Sequence, residues 1–308
     1  MGRRRLGRRR RGWAAGTGSA AALVVMALVA AACGAAGSGS APAVGGRSPT
    51  AGRSLAAGPT AAPRRSVVPS ASPAAQRPWR PAPGEPWHWQ LSGPVDLSVD
   101  APVYDVDGQT TTAATVARLH QRGHRAICYV SVGSWETWRP DAGALPPAVI
   151  GRPLVGFPDE SWLDIRRVDL LAGPLGRRFD DCRAKGFDAV EPDNVDGYQN
   201  DTGFPLTAAD QLRFNRWVAG AVHARGMGVG LKNDTDQVDA LAGVFDFAVV
   251  EECLVYRECA AYRPFLAAGK AVLHVEYTDT WPADRSCSVP GFSSIRKRRD
   301  LNAWPGLC

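Results

Sequence analysis

The chain has 308 residues and a formal net charge of +6, but its excess of basic residues is confined to the first 85 positions. That segment holds 13 of the 36 Lys and Arg residues and one of the 30 Asp and Glu residues, which leaves 23 basic against 29 acidic residues in the rest. The larger C-terminal part is therefore acidic, and the high overall pI gives no support to nucleic-acid binding.

The first 33 residues have the features of a bacterial export signal. A basic segment, MGRRRLGRRRR, is followed by the apolar AALVVMALVAAAC, which is of signal-peptide length and too short for a comfortable membrane span. The end of this segment resembles a lipobox, in which Cys33 becomes the lipidated first residue of the mature protein; ordinary cleavage nearby is the alternative. We therefore expect a secreted or cell-surface protein that is anchored to the bacterial membrane through a lipid on Cys33.

Residues 34–85 consist mostly of Ala, Gly, Ser, Pro and Arg, with almost no large apolar side chains. Such a segment cannot bury enough surface to offset the entropy lost on ordering, so we predict a disordered linker. The remaining residues, 86–308, are enough for one domain with a sizeable core.

If Cys33 is lipidated, six cysteines remain, and an even number in an exported chain favours disulfides over metal thiolates. They are Cys128, Cys182, Cys253, Cys259, Cys287 and Cys308. Cys253 and Cys259 could close a short loop, while Cys287 and Cys308 could hold the C-terminus. The sequence itself leaves all fifteen pairings open.

Short apolar segments alternate with longer segments of helical composition after residue 86, which indicates an α/β fold. The apolar segments span 87–91, 103–107, 125–133, 187–193, 227–233, 245–251 and 271–277. The clearest helix is predicted at 207–225, where Thr207 and Asp210 have the spacing of an N-terminal capping box. Seven or eight strands joined by helices, without a GxGxxG motif, favour a closed (β/α)8 TIM-type barrel over an open doubly wound sheet.

Polar side chains stand at the C-terminal tips of these strands, where TIM barrels carry their active sites. The tips read YDVD, SVGSWE, EPDN, LKN, VVEE and VEY. Period-two alternation indicates which side chains face the interior. The positions predicted to do so are Asp105, Asp107, Glu191, Asp193, Gly228, Gly230, Lys232, Val272, His274 and Glu276. The segment FAVVEE is apolar on both faces, so alternation does not choose between Glu251 and Glu252.

Two carboxylates that face one cavity are the minimum equipment for glycoside hydrolysis. Asp193 and Glu251 are the candidates, and Lys232 on the strand between them would favour the ionised form of Asp193. The sequence has no GxSxG, HExxH or Walker motif, and its five histidines lack the clustering of a catalytic zinc site. We expect neither a metal nor a cofactor.

Several segments, taken in chain order, resemble glycoside hydrolase family 114, the endo-α-1,4-polygalactosaminidases. These are WHWQL, VYDVD, ICYVSVGSWETWRPD, WLDI, GFDAVEPDNVDGYQNDTGF, GLKN, FAVVEEC with YREC, and KAVLHVEYT. The resemblance covers nearly all of 87–278 and implies a (β/α) barrel that cleaves α-1,4-linked, galactosamine-rich polysaccharide internally. By motif position it implies Asp193 as nucleophile or base and Glu251 as acid, with Glu252 left open as an alternative proton donor.

Further residues at the barrel mouth are expected to contact the substrate. They are Asp105, Asp107, Tyr129, Glu136, Glu191, Asn194, Lys232, Asn233, Glu252, His274, Glu276 and Tyr277. Because a deacetylated galactosamine polymer is cationic, an acidic mouth would attract it. We expect a monomer whose partner is this polysaccharide, with no nucleic-acid partner and with membrane contact only through the lipid anchor.

Two alternatives remain at this stage. A surface carbohydrate-binding lipoprotein would keep the barrel without turnover, and a reducing-end assay would identify it. A barrel glycosidase that acts on another amino-sugar linkage would keep the chemistry, and a panel of polysaccharides would separate it from the first choice.

Overall fold

The computed structural model describes residues 78–304, 306 and 308. The predicted signal peptide at 1–33, with Cys33, and most of the predicted linker at 34–85 lie outside the described residues. Within the described residues, no helix combines the length and the apolar character needed to cross a membrane.

The described strands and helices alternate along most of the domain. The strands are β1 (Trp87–Gln90), β2 (Val103–Asp107), β3 (Arg125–Ser131), β4 (Ser134–Glu136), β5 (Ile150–Leu154), β6 (Phe157–Leu163), β7 (Ala189–Asp193), β8 (Gly228–Lys232), β9 (Phe247–Glu251), β10 (Val272–Tyr277) and β11 (Ser293–Lys297). The helices are α1 (Ala113–Gln121), α2 (Val168–Lys185), α3 (Ala208–His223), α4 (Val238–Leu241), α5 (Cys253–Tyr256) and α6 (Arg263–Ala267).

Eight parallel strands form a nearly closed barrel in the order β1-β2-β3-β7-β8-β9-β10-β11. The first and last strands meet at a seam, where the indole nitrogen of Trp87 donates to the backbone oxygen of Ser293 at 2.8 Å. All seven predicted strands are present, and the predicted (β/α)8 TIM-type barrel is confirmed.

The helix predicted at 207–225 is α3. Thr207 Oγ1 accepts a hydrogen bond from the backbone of Asp210, whose carboxylate accepts one in return from the backbone of Thr207. This capping box satisfies backbone donors that a helix start leaves unpaired. After the helix, Gly226 adopts a φ of 75°, a left-handed conformation that glycine adopts without strain.

The strand register determines which side chains face the barrel interior. Pairing aligns Asp105 with Ile127, Ile127 with Ala189, and Ala189 with Gly228. Side chains that are aligned in this way lie on the same face of the sheet. Seven of the predicted interior positions are therefore placed as expected: Asp105, Asp107, Glu191, Asp193, Gly228, Gly230 and Lys232. At Gly230, a Cβ atom would lie 2.4 Å from the ring of Phe247, so the interior has no room for a larger residue there.

The predicted orientation of β10 is wrong. The register aligns Leu273 and Val275 with interior positions of β9, which turns Val272, His274 and Glu276 toward the helices. On that side, His274 Nε2 lies 2.9 Å from Glu276 Oε1, and the same oxygen accepts a hydrogen bond from the backbone of Leu254. Both polar side chains are fully buried on the helix side of the strand, so neither reaches the mouth as a substrate contact.

Two parts of the sheet structure were not predicted. Strand β11 has the sequence SSIRK, whose buried Lys297 donates to the backbone oxygens of Asn302 and Trp304 at 2.9 and 2.6 Å. The antiparallel sheet β4-β6-β5 is an insertion between β3 and α2. Neither shows the continuous apolar pattern of the other barrel strands, because serine and basic residues interrupt β11 and because proline and polar residues interrupt β5 and β6.

Three disulfides link the six cysteines of the domain. They are Cys128–Cys182, Cys253–Cys259 and Cys287–Cys308. Both pairings suggested by the sequence are present, and the third ties β3 to α2.

We expect the disulfides to contribute unequally to stability. Replacement of Cys128 and Cys182 by alanine should lower the free energy of unfolding by about 2–4 kcal/mol, since this bond spans 54 residues and restricts the unfolded chain strongly. Replacement of Cys253 and Cys259, which are six residues apart, should cost less. Urea unfolding followed by circular dichroism measures both, and equal losses would contradict this explanation.

The segment 78–86, here called the N-terminal strap, lies across the N-terminal ends of the barrel strands. The backbone oxygen of Trp79 leaves no room for a Cβ atom on Gly228, the first residue of β8. The Trp79 ring also lies 5.9 Å from the guanidinium of Arg125, at the start of β3, and packs against the apolar cluster of the barrel interior. Packing of the domain therefore begins before residue 86.

Candidate active site

Asp193, Lys232 and Glu251 are the last residues of three adjacent strands, β7, β8 and β9. The residue that follows each of them has a positive φ, of 62°, 47° and 57° respectively. Asparagine, which occupies the first two of these positions, tolerates the left-handed region better than most residues do. These turns end the strands abruptly, so each of the three side chains is the last on its strand to face the barrel interior.

Lys232 lies among three carboxylates at the mouth. Its Nζ is 2.9 Å from Glu191 Oε1, 3.3 Å from Asp193 Oδ1 and 3.4 Å from Glu251 Oε2. The side chains of Lys232 and Glu191 are buried, whereas those of Asp193 and Glu251 are 19% and 25% exposed. Two carboxylates that solvent can reach therefore flank one buried cation, and the expected proximity of Lys232 to Asp193 is present.

Each of these two carboxylates also accepts a hydrogen bond from a phenol. Tyr129 donates to Asp193 Oδ2 at 2.8 Å, and Tyr277 donates to Glu251 Oε1. Asn233 holds Glu251 a second time, because its side-chain amide donates to Glu251 Oε2 and its side-chain oxygen accepts from the Glu251 backbone. The network fixes both carboxylates in place before any ligand binds.

The electrostatic surroundings keep the donors of this network protonated. Burial, together with the adjacent charge of Asp193 or Glu251, raises the pKa of Tyr129 and of Tyr277 well above the ordinary value. Burial alone would lower the pKa of Lys232, but the three neighbouring carboxylates raise its pKa well above the usual range. At neutral pH, Lys232 is therefore a permanent positive charge between the two carboxylates.

Glu191 and Asp105 form a fully buried carboxyl pair beneath the mouth. Glu191 accepts from the indole of Trp89 at 3.2 Å as well as from Lys232. The oxygens of Asp105 accept no hydrogen bond from the described residues, and burial, followed by the charge of Glu191, raises the pKa of Asp105 well above its ordinary value. A protonated Asp105 donates to Glu191 and avoids a second buried negative charge beside it.

The structure distinguishes Glu251 from Glu252. Glu251 faces the interior, because its strand neighbour Val249 is aligned with Lys232. Glu252 instead lies beside Arg299, whose guanidinium donates to its two oxygens at 2.7 and 3.1 Å. Paired with this guanidinium, Glu252 is poorly placed to donate a proton to a ligand near Asp193.

The remaining predicted contacts lie on the β2 and β3 side of the mouth. Arg139 bridges Asp107 at 2.6 Å and Glu136 at 2.7 Å, so both carboxylates have a cationic partner. Asn194 turns toward the base of the inserted sheet, where its amide donates to the hydroxyl of Ser131 at 3.0 Å. The three predicted contacts, Asp107, Glu136 and Asn194, therefore shape the mouth beside Asp193.

Four residues of the mouth region were not anticipated. They are Trp138, Arg139, Glu160 and Arg299. Three of them belong to the insertion between β3 and α2, and the fourth follows β11, so none stands at the tip of a predicted strand. The sequence contained one indication of Arg139, which lies in the segment TWRPD. An arginine close to an acidic mouth indicates a structural ion pair.

One group of potential metal ligands occurs within the described residues. Atoms of Cys253, Cys259 and His274 lie within 4.8 Å of one another. Both sulfurs belong to a disulfide, and each ring nitrogen of His274 has a hydrogen-bonding partner. This group therefore lacks the thiolates and the free imidazole nitrogen that a metal site requires.

The geometry suits hydrolysis by two carboxylates. Asp193 and Glu251 are partly exposed at the same mouth and share one cation, and an open cavity is lined by Tyr129, the residue that donates to Asp193. Such a pair can act as acid and as nucleophile or base on a glycosidic bond.

Comparisons with known proteins agree with this chemistry. The family model described as glycoside-hydrolase family GH114 matches residues 68–308. The crystal structure of Aspergillus fumigatus Ega3 in complex with galactosamine is 36% identical, covers 77% of this chain and 100% of its own, and superposes with a TM-score of 0.70. The glycoside hydrolase domain of PelA from Pseudomonas aeruginosa shares the fold at 14% identity, over 73% of this chain and 98% of its own, with a TM-score of 0.55. No curated protein matches the sequence.

Proposed function

The chain belongs to glycoside hydrolase family GH114, and we propose that it cleaves galactosamine-containing polysaccharide internally, at α-1,4 linkages, with Asp193 and Glu251 as its catalytic pair. Membership of the family makes the protein a glycosidase. The substrate class rests on the similarity to Ega3, a protein whose structure contains galactosamine.

One observation carries the assignment of the pair. Asp193 and Glu251 are both partly exposed at the mouth and both lie within 3.4 Å of Lys232 Nζ. Their surroundings are alike, since each also accepts a hydrogen bond from a tyrosine. We therefore base the roles on motif position, with Asp193 as nucleophile or base and Glu251 as the proton donor to the leaving oxygen.

The shared cation also limits the gap between the two carboxylates. Asp193 Oδ1 and Glu251 Oε2 can be no further apart than the sum of their distances to Lys232 Nζ, about 6.7 Å. Retaining glycosidases have a gap of roughly 5–5.5 Å, and inverting enzymes one of roughly 6.5–9.5 Å. For these two oxygens, the limit allows the whole retaining range and excludes nearly all of the inverting range. We therefore propose a retaining mechanism.

Incubation with defined α-1,4-galactosamine oligomers tests the function and the stereochemistry together. We expect shorter oligomers rather than released monosaccharide, and we expect the α-anomer to appear first in a proton NMR time course, because retention preserves the configuration of the substrate. The Asp193→Asn variant serves as the control for background hydrolysis. A β-anomer that forms first would contradict retention, and the absence of shorter products would contradict the proposed function.

We also propose that the protein is exported, anchored through Cys33 and monomeric. The basic and apolar N-terminal segments support export, and three disulfides in a single domain fit an oxidising compartment. Mass spectrometry of the mature N-terminus would detect a lipid on Cys33.

A further inference from the structure

An open cavity lies at the mouth on the side of the inserted sheet. Its lining includes Asp107, Tyr129, Glu136, Trp138, Arg139 and Glu160. Tyr129 connects the cavity to the catalytic pair, since its hydroxyl donates to Asp193. A sugar unit bound here would therefore neighbour the unit at the cleaved bond.

The acidic residues of this cavity differ in their partners. Asp107 and Glu136 each pair with Arg139, and Arg178 lies 3.6 Å from Glu136 Oε2. Glu160 accepts a hydrogen bond from the Ser134 hydroxyl at 3.0 Å, but it forms no ion pair with any residue that the structure describes. Among the acidic residues of the lining, Glu160 is thus the one that lacks a cationic partner within the described part of the chain.

The second buried carboxylate of the lining, Glu136, has one oxygen without a hydrogen bond from the described part of the chain. Glu136 is 2% exposed, yet its Oε2 accepts no hydrogen bond from the described residues. A buried carboxylate oxygen without a donor is costly unless a ligand supplies one. The Arg178 guanidinium, 3.6 Å from this oxygen, compensates its charge, so Glu136 already has cationic partners and is not the group that would receive a ligand.

The charge of Glu160 responds to its neighbours. Burial, followed by the charges of Glu136 and Asp193, raises the pKa of Glu160 to about 7, although Ser134 and Arg139 oppose the shift. A cation placed beside this carboxylate would return the pKa toward its ordinary value, and the binding free energy of the cation would include that gain.

The cavity also presents an aromatic surface. Trp138 lines the cavity and is 55% exposed, so its ring is accessible to a ligand there. Indole faces stack on the apolar faces of sugar rings, so this ring could hold a sugar unit whether or not its amino group is free.

We propose that Glu160 receives the ammonium group of a sugar unit bound next to the catalytic pair, while Trp138 stacks on its ring. The inference rests on the proposed function, because it takes the substrate to be an amino-sugar polymer. It adds a selection rule: this subsite favours a 2-amino sugar with a free amino group over an N-acetylated one, whose uncharged amide cannot form the ion pair.

Binding titrations in the inactive Asp193→Asn background of the full chain test the proposal. The probes are an α-1,4-galactosamine oligomer and its N-acetylated counterpart. We expect Glu160→Gln to raise the Kd of the first by about tenfold and to leave the second unchanged within about twofold. We expect Trp138→Ala to weaken both. The control is Asp159→Asn, which removes a carboxylate from an exposed neighbour on the same strand and should change neither Kd.

A pH series separates recognition of charge from a structural role. The pKa of Glu160 is raised to about 7 in the wild type, and it should be lower in the Asp193→Asn background because the charge of Asp193 is one cause of the increase. Glu160 loses its charge as the pH falls through this pKa, so the tenfold difference between the parent and Glu160→Gln should be present at about pH 8 and shrink toward none as the pH falls to about 5. Equal Kd values for the parent and Glu160→Gln, an equal loss for both oligomers, or an equal loss in Asp159→Asn would overturn the inference. Failure of the wild-type protein to release shorter oligomers, with selective binding intact, would overturn the proposed function alone.

Discussion

Asp193→Asn and Glu251→Gln should each lower the rate of oligosaccharide release from galactosamine polymer by about 10³-fold or more. The first change removes the nucleophile or base, and the second removes the proton donor. Both replacements keep the size of the side chain, and both positions are partly exposed, so the melting temperature should stay within a few degrees of the wild type. A reducing-end assay measures the rates, and thermal unfolding measures the stability.

The matched control for this pair is again Asp159→Asn. It removes one carboxylate that is exposed on the inserted sheet and touches neither member of the pair, so it should retain the wild-type rate. Near-wild-type turnover by Asp193→Asn or by Glu251→Gln would show that the role given to that residue is wrong. A large loss in the control would instead mean that general surface charge governs the rate.

Lys232→Met is expected to lower the free energy of unfolding by about 3–5 kcal/mol and to abolish turnover. Methionine fills a similar space, but it leaves Glu191 buried without its cation and leaves Asp193 and Glu251 to repel each other. Chemical unfolding at neutral pH measures the loss. A variant as stable as the wild type would contradict the view that Lys232 neutralises the mouth.

The loss should depend on pH in a direction that the charges determine. Without Lys232, the protein can bury Glu191 only with its carboxyl group protonated. The pKa of Glu191 is therefore higher in the folded protein than in the unfolded chain. Stability from such a group is present at low pH and is lost as the pH rises through the folded pKa. The variant should therefore come closest to wild-type stability near about pH 5 and fall furthest below it near about pH 8.

A double variant separates loss of the charge from loss of packing. Glu191→Gln combined with Lys232→Met removes the buried anion together with its cation, and we expect it to be more stable than Lys232→Met alone. Simple additivity of the two losses would mean that the ion pair is not the reason for the instability.

The sequence was sufficient for the barrel because the seven predicted strands are short apolar segments, six of which end in a polar tip. It was insufficient for β11, whose five residues include two serines and two basic residues. That strand is stabilised by pairing with β10 and by contacts that Lys297 makes with the C-terminal segment. Such long-range partners leave no local pattern in the chain.

The same limit appears within the site. Alternation placed Asp193 and Lys232 correctly because their strands are polar or glycine-rich on one face only. Strand β10 also has its polar residues on one face, but His274 and Glu276 are turned toward the helices, where they contact each other, and Tyr277 rather than Glu276 reaches Glu251. The orientation of that strand follows from its pairing with β9, which no single segment encodes.

The N-terminal strap places residue 78 at the N-terminal ends of the strands, whereas the catalytic pair lies at their C-terminal ends. A molecule tethered through Cys33, as proposed, would be attached to the bilayer on the face of the barrel opposite the mouth, so the tether would leave the mouth unobstructed. It would then act on polymer that approaches from outside the cell. A change in the length of the tether would alter the distance from the membrane at which the enzyme acts, without altering its catalytic rate.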